Sequence, residues 1–403
     1  MASTMGRAGV VSLTGLLLVV SGGAAQGDSA GWSQSGGGPG STAAVVSPGN
    51  LSPSTVTNLA LDYSVSVGDY VTQSPAVVGG AVYAGTLSGH LVAINTDTGR
   101  TRWRARLCDG KQPAYNGAEE TSPAVGAGAV FVLGDLGVLS GIRLAAPHDP
   151  VACVTIPGAA SGAGWSPTIA GGVVYATTAT HLAAVDATSG AVIWTRALPA
   201  GYAAASNVVV DRGLAYVAAN SGGGNLGHVL AYAASTGQPR WSRRTSSYVS
   251  TLAAADGRVI AGGWTVQAFA EPSGAVAWTS TVHGAVAVTI SGNRVVVAGG
   301  EATPTQGSLV ALDATTGVRL WRAPIGSEEE SQPSAGGGVT YLTDLDSGTV
   351  FMNRLSDGQR LAIISHPGGY YDQLGTPVVV DGHIYLFTQG GSSSNLDRWS
   401  TAS

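Results

Sequence analysis

Short apolar runs rich in valine and alanine recur along the chain, each ended by a glycine-marked turn. One passage reads Ser74-Pro75, Val77, Gly79-Gly80, Val82-Tyr83. The same order returns at Ser122-Pro123 with Val130-Phe131, at Ser166-Pro167 with Val174-Tyr175, and at Thr376-Pro377 with Ile384-Tyr385. Runs of this kind predict short β-strands joined by hairpins. A second pattern, eleven residues long, occurs five times without a gap, each copy preceded by a hairpin. The copies are Ala93–Trp103, Ala184–Trp194, Ala231–Trp241, Ala268–Trp278 and Ala311–Trp321, with alanine first, Ser or Thr sixth, glycine seventh and tryptophan last.

The pattern has a physical reading. A strand ends, a Ser/Thr-Gly pair turns the chain, and a second strand carries the tryptophan. Gly99, Gly190, Gly237, Gly274 and Gly317 supply the positive φ that such turns need. Small alanine opposite large tryptophan suggests that the ring fills the space alanine leaves. Each unit is then four antiparallel strands, A to D, over about 40 residues, the size of one propeller blade. Degenerate copies complete the count. Cys153 is read at the tryptophan position of the second unit, and Met352 and Ala362 replace alanine and tryptophan in the seventh. The last unit ends after three strands, and Leu59 to Val65 supplies the fourth, with Tyr63 at the tryptophan position. The expectation is an all-β, eight-bladed β-propeller, with seven blades as the fallback, closed by the N-terminal strand.

The Ala-x-Asp-x-x-Thr-Gly-x-x-x-Trp motif resembles the repeat of the pyrroloquinoline quinone (PQQ)-like β-propellers, also called quinoprotein alcohol dehydrogenase-like. Trp32-Ser33-Gln34, Leu51-Ser52-Pro53, Val56 and Leu59 resemble that family's lead-in segment, so the likeness runs from Trp32 to the end. The resemblance implies a structural docking role for Trp103, Trp194, Trp241, Trp278 and Trp321. It also implies two functional classes. Some members are dehydrogenases with PQQ and a calcium ion in the central funnel; others, such as the outer-membrane assembly lipoprotein, are binding scaffolds. This chain lacks the enzymes' adjacent Cys-Cys pair, their ligand-bearing insertions and any cytochrome segment. No position can be matched to their catalytic Asp or metal ligands. The reading is therefore a non-catalytic binder of an extracytoplasmic protein or glycan, a monomer without a cofactor. The alternative is a small PQQ- and Ca²⁺-dependent alcohol or sugar dehydrogenase.

Composition agrees with strands. Of 403 residues 60 are glycine, 44% are hydrophobic and only 11% are charged, which excludes charge-driven disorder. The net charge is −5 and Lys111 is the only lysine, so no basic cluster exists for nucleic acid. Residues 1–25 read as a secretory signal: Arg7, an apolar stretch from Ala8 to Val20, and small residues Gly23, Ala24 and Ala25 before the cut. An uncleaved anchor is the other reading. The stretch is short for a membrane span, and no later segment is a helical span. Residues 26–50 are rich in Gly, Ser, Ala and Pro and suggest a flexible linker, with the propeller over 51–403. A secreted chain favours pairing of its two cysteines, Cys108 and Cys153, over two buried thiols.

In such a meander the D-to-A and B-to-C connections share one face, and tight turns occupy the other. The long connections, Cys108 to Glu120, Ser221 to Gly227, Glu301 to Gly307 and Gly390 to Ser394, all fall on the first face, which is the expected binding face. Asp69, Tyr70, Glu119, Glu120, Trp165, Tyr202, Tyr248, Glu328, Glu329, Glu330, Tyr370, Tyr371 and Asp372 precede innermost strands and form a candidate rim. Aromatic and acidic groups together suit a sugar, a cation or a basic side chain; solvated loop ends are the plainer reading. His90, His181 and His228 each fall three residues before a motif alanine. They sit on separate blades, too far apart to share one metal, and read as turn residues.

Overall fold

The computed structural model describes residues 31–402 except 46, 72, 109–120, 135, 160–163, 223–225, 281, 283–284, 301–306, 327–330, 346, 366–372 and 390–392. Eight antiparallel sheets follow one another: blade 1 over 76–106, blade 2 over 124–155, blade 3 over 168–197, blade 4 over 202–244, blade 5 over 249–280, blade 6 over 285–324, blade 7 over 334–365, and blade 8 over 373–401 with 59–66. This is the eight-bladed propeller that the repeat predicts. Blade 1 carries an extra inner strand, Gly31–Trp32, and the innermost strand of blade 4 is split into Tyr202–Ala204 and Val209–Asp211.

The ring closes at blade 8. Leu59–Ser66 pairs with Ser394–Thr401, placing Tyr63 opposite Arg398. Tyr63 Oη donates to the Thr96 carbonyl of blade 1 at 2.8 Å, and Arg398 Nη1 donates to the same oxygen at 2.8 Å. Arg398 Nε also pairs with Asp62 at 2.9 Å. The seam thus binds both ends of the chain to each other and to blade 1.

Between four other pairs of blades, 3–4, 4–5, 5–6 and 6–7, one contact repeats. The motif alanine lies directly opposite the tryptophan, and a bulge follows it, as at Ala184 and Trp194. The indole N–H then reaches the next blade: Trp194 donates to the Ala234 carbonyl at 2.9 Å, Trp241 to Glu271 at 2.7 Å, Trp278 to Ala314 at 3.0 Å and Trp321 to Leu355 at 3.0 Å. Beneath each ring lies the next blade's turn glycine. At Gly274, with φ +66°, an added Cβ would stand 2.7 Å from the Trp241 ring. Glycine is needed there twice over, for the backbone angle and for the room. An arginine two residues beyond the ring adds a clasp: Arg243 Nε donates to the Gly274 carbonyl at 2.9 Å.

Blade 2 departs from the pattern. The pairing sets Ala152, not Cys153, opposite Gly141, and Ala152 also meets the Gly190 turn of blade 3. The tryptophan register therefore belongs to Ala152, because the bulge after Pro150 shifts the strand by one residue. Blade 2 also has no Ser/Thr-Gly turn after Leu144. Here Cys108, just beyond blade 1, forms a disulfide with Cys153 of blade 2, and Cys108 N donates to Ser140 Oγ at 3.1 Å.

The composition of 26–50 suggests a linker, but the described part is built into the core. Trp32, Gln34, Ser41, Ala43 and Val45 are buried. The segment makes one lap around the centre of the ring, bonding to the inner strand of each blade in turn. Gly31 and Trp32 pair with Val78 and Val77 of blade 1. Val125 N donates to the Ser33 carbonyl at 2.7 Å and Ile169 N to Gln34 Oε1 at 2.7 Å. Val210 N donates to Pro39, Ala254 N to Gly40, Ile290 N to Thr42, Ala335 N to Ala43 and Asp381 N to Ser47, at 2.8 to 3.0 Å. The small residues that mimic a linker are what close approach demands: a Cβ on Gly40 would collide with the Ala254 carbonyl. The folded unit accordingly begins at least at Gly31, not at 51.

Two outcomes follow. Trp32→Ala should cost about 3–5 kcal/mol as a large buried ring is lost, read as a lower urea midpoint. Gly274→Ala should cost about 1–3 kcal/mol by overpacking and strain, and Trp241→Phe, which gives up a hydrogen bond worth about 1 kcal/mol together with part of the ring's packing, should cost at least as much as that bond; paired denaturation curves check both.

Candidate functional site

The two faces of the ring differ. The lap of 31–47 bonds to the inner strands at their C-terminal ends, beside turns such as Gly79-Gly80, Arg212-Gly213, Asp256-Gly257 and Asp381-Gly382. It therefore circles the axis on the tight-turn face. The other face carries the D-to-A and B-to-C connections. Among the described residues no helix is long and apolar enough to cross a membrane.

Five residues of the candidate rim are described, and they stand on separate parts of the ring. Asp69 and Tyr70 lie where the chain passes from blade 8 to blade 1, Trp165 leads into blade 3, Tyr202 opens blade 4 and Tyr248 precedes blade 5. Glu119, Glu120, Glu328, Glu329, Glu330, Tyr370, Tyr371 and Asp372 lie outside the described residues.

Asp69 is engaged within the fold. Its carboxylate accepts from Ser88 Oγ and from Tyr70 N at 2.8 Å, and lies 3.6 Å from Arg104 Nη1. Burial pushes its pKa upward, but hydrogen bonds from Ser88, Thr86 and Tyr70 and the Arg104 charge outweigh that and hold it below the ordinary value. Ser88 Oγ also lies 2.9 Å from His90 Nδ1. The order is Asp–Ser–His with serine in the middle, so the carboxylate holds the hydroxyl and not the imidazole, unlike a Ser-His-Asp triad.

His181 Nδ1 meets Thr180 Oγ1 at 3.0 Å. His228 packs edge-on against Tyr202, with ring centroids 4.7 Å apart. Burial, and then the Arg244 charge, hold the His228 pKa below its ordinary value. The three histidines stay on blades 1, 3 and 4. Among the described residues no group of three or more His, Cys, Asp or Glu side chains is placed to hold a metal ion.

One ionisable group was not singled out from the sequence. Glu271 is 1% exposed, and its carbonyl is the acceptor for Trp241. Its carboxyl faces Arg212 Nε at 3.7 Å across the blade 4–5 interface. Burial raises its pKa to about 8, neighbouring Asp211 adds to the rise, and Arg212 opposes it. The available signal was an acid at the fourth motif position, where the other four copies have Thr96, Ala187, Ala234 and Ala314.

A family model described as Outer membrane protein assembly factor BamB matches residues 23–262 and again 262–398. No curated protein matches the sequence. Among solved structures, the quinohemoprotein alcohol dehydrogenase from Comamonas testosteroni is similar, with a TM-score of 0.74 at 13% identity, covering 93% of this chain and 81% of that one. A europium-containing methanol dehydrogenase gives a TM-score of 0.69 at 12% identity, covering 92% and 98%. BamB from Moraxella catarrhalis gives 0.61 at 15% identity, covering 85% and 99%. At these identities the likeness concerns the fold.

Glu271 makes a pH-dependent contribution with a definite sign. A carboxyl whose pKa rises from 4.5 to about 8 on folding favours the fold while protonated, and that stability is lost as pH rises through this window. Urea midpoints of wild type and Glu271→Gln at pH 4.5, 6.5 and 8.5 should therefore diverge, with the variant gaining on the wild type as pH rises.

Proposed function

The chain belongs to the PQQ-like β-propeller family, and from that premise we propose that it is a secreted, non-catalytic scaffold. In this reading a protein or glycan partner docks on the face of the D-to-A and B-to-C connections. The observation that carries the proposal is the lap of 31–47, which occupies the tight-turn face. That leaves the face of the connecting loops, where binding residues are most often found on a rigid scaffold. Trp103, Trp194, Trp241, Trp278 and Trp321 are structural residues in this reading, engaged between blades. The disulfide and the amino-terminal signal favour an oxidising compartment outside the cytoplasm.

The dehydrogenase reading needs a carboxylate-rich seat for a calcium-bound quinone. Among the described residues no group of three or more His, Cys, Asp or Glu is placed to hold a metal ion, and Asp69 is bonded to Ser88 and Tyr70; Glu119, Glu120, Glu328, Glu329, Glu330 and Asp372 lie outside the described residues. No step through a quinone is therefore derived. The test is direct. The mature chain, titrated with PQQ and Ca²⁺, should give no equimolar quenching of tryptophan fluorescence and no dye-linked alcohol oxidation. Saturable equimolar quenching accompanied by turnover would overturn the scaffold reading.

A further inference from the structure

Tryptophan is used in one way throughout this molecule, with one exception. Eight of the nine tryptophans are buried or half-buried, whereas Trp264 is 65% exposed. It stands in the B-to-C turn of blade 5, on the loop face. Val249 and Gly263 are register partners in this blade, so the next residues outward, Tyr248 and Trp264, come side by side at the end of the sheet. Tyr248 is 37% exposed. A Cβ on Gly263 would collide with the Tyr248 carbonyl, so glycine lets these two ends close together.

We propose that Trp264 and Tyr248 form an aromatic platform for an uncharged carbohydrate, resting on the reading of this face as the binding face. A pyranose presents an apolar C–H face and a rim of hydroxyls. An exposed indole suits the first, because Trp offers a large rigid contact area at small entropy cost. Hydroxyls beside it suit the second. Ser246 Oγ lies 2.6 Å and Ser247 Oγ 3.3 Å from Thr265 Oγ1, and Ser246 N donates to Gln267 Oε1 at 2.8 Å. These bonds tie the loop before blade 5 to the turn that bears Trp264, so the platform is formed before any ligand arrives. No charged residue occurs from Thr245 to Ala255 or from Val259 to Gln267, and Arg244, just before the first segment, lies near His228. The two segments that carry the pair supply no charge of their own, which favours a neutral sugar over an anion.

The probes are cellohexaose, maltohexaose and chitohexaose, with tetramethylammonium as the cationic control, titrated calorimetrically and by tryptophan emission into wild type, Trp264→Ala and Trp264→Phe. At least one sugar should bind the wild type, bind Trp264→Ala at least tenfold more weakly, and be largely restored by Trp264→Phe, while all three proteins melt at the same temperature. No response to any of the three sugars, or a response only to tetramethylammonium, overturns the platform. Sugar binding that survives Trp264→Ala also overturns it, and leaves the scaffold reading intact. Quinone-dependent turnover would instead overturn the scaffold reading without touching the platform.

Discussion

A four-stranded blade cannot bury its own two faces, so the ring stands or falls on the seam between neighbours. Its most regular device is an indole laid across the next blade's glycine turn with its N–H on a carbonyl, as from Trp241 to Glu271. Nearer the axis a second ring of bonds does the same with hydroxyls. Thr168 Oγ1 donates to the Val208 carbonyl at 2.6 Å, Ser334 Oγ to the Pro377 carbonyl at 2.8 Å, and Thr376 N donates to Ser74 Oγ at 2.7 Å. Where the outer device lacks its turn or its tryptophan, another bond stands in: the disulfide at blade 2, and the Tyr63–Arg398 pair at the closing seam.

The central lap gives the ring its polarity. Inner strands end in N–H groups that would otherwise face the axis, and a buried unpaired N–H is costly. One extended segment supplies acceptors to successive blades, and does so on one face only. The two faces are therefore chemically different although the blades repeat.

Much of this was legible because it repeats. Five gapless copies fix the tryptophan, alanine and turn-glycine positions, and the shortfall of one strand at the C-terminus points to Leu59 to Val65 as its partner. What was not legible depends on single contacts. Residues 31–47 have linker composition because eight inner strands crowd them, and crowding and flexibility both call for glycine. The bulge in blade 2 moves Ala152 into the register read for Cys153, and no spacing announces a bulge. Glu271 stands at a motif position that the repeat leaves variable, and only its neighbours make it a buried acid. Trp264 lies outside the repeat, and exposure is a property of the fold rather than of the local sequence.

The closing strand has a consequence for synthesis. Asp62 and Arg398 are 336 positions apart in the chain, yet they meet at 2.9 Å. A ribosome makes the lap and the closing strand well before the blade 8 strands they join. Until then these segments have no complete ring to circle and no blade to join. Blades can form one at a time as they emerge, but the ring is locked only when blade 8 is made. Such long-range closure is slow to form, and it places the vulnerable interval of this protein's life between the birth of its first strand and the arrival of its last.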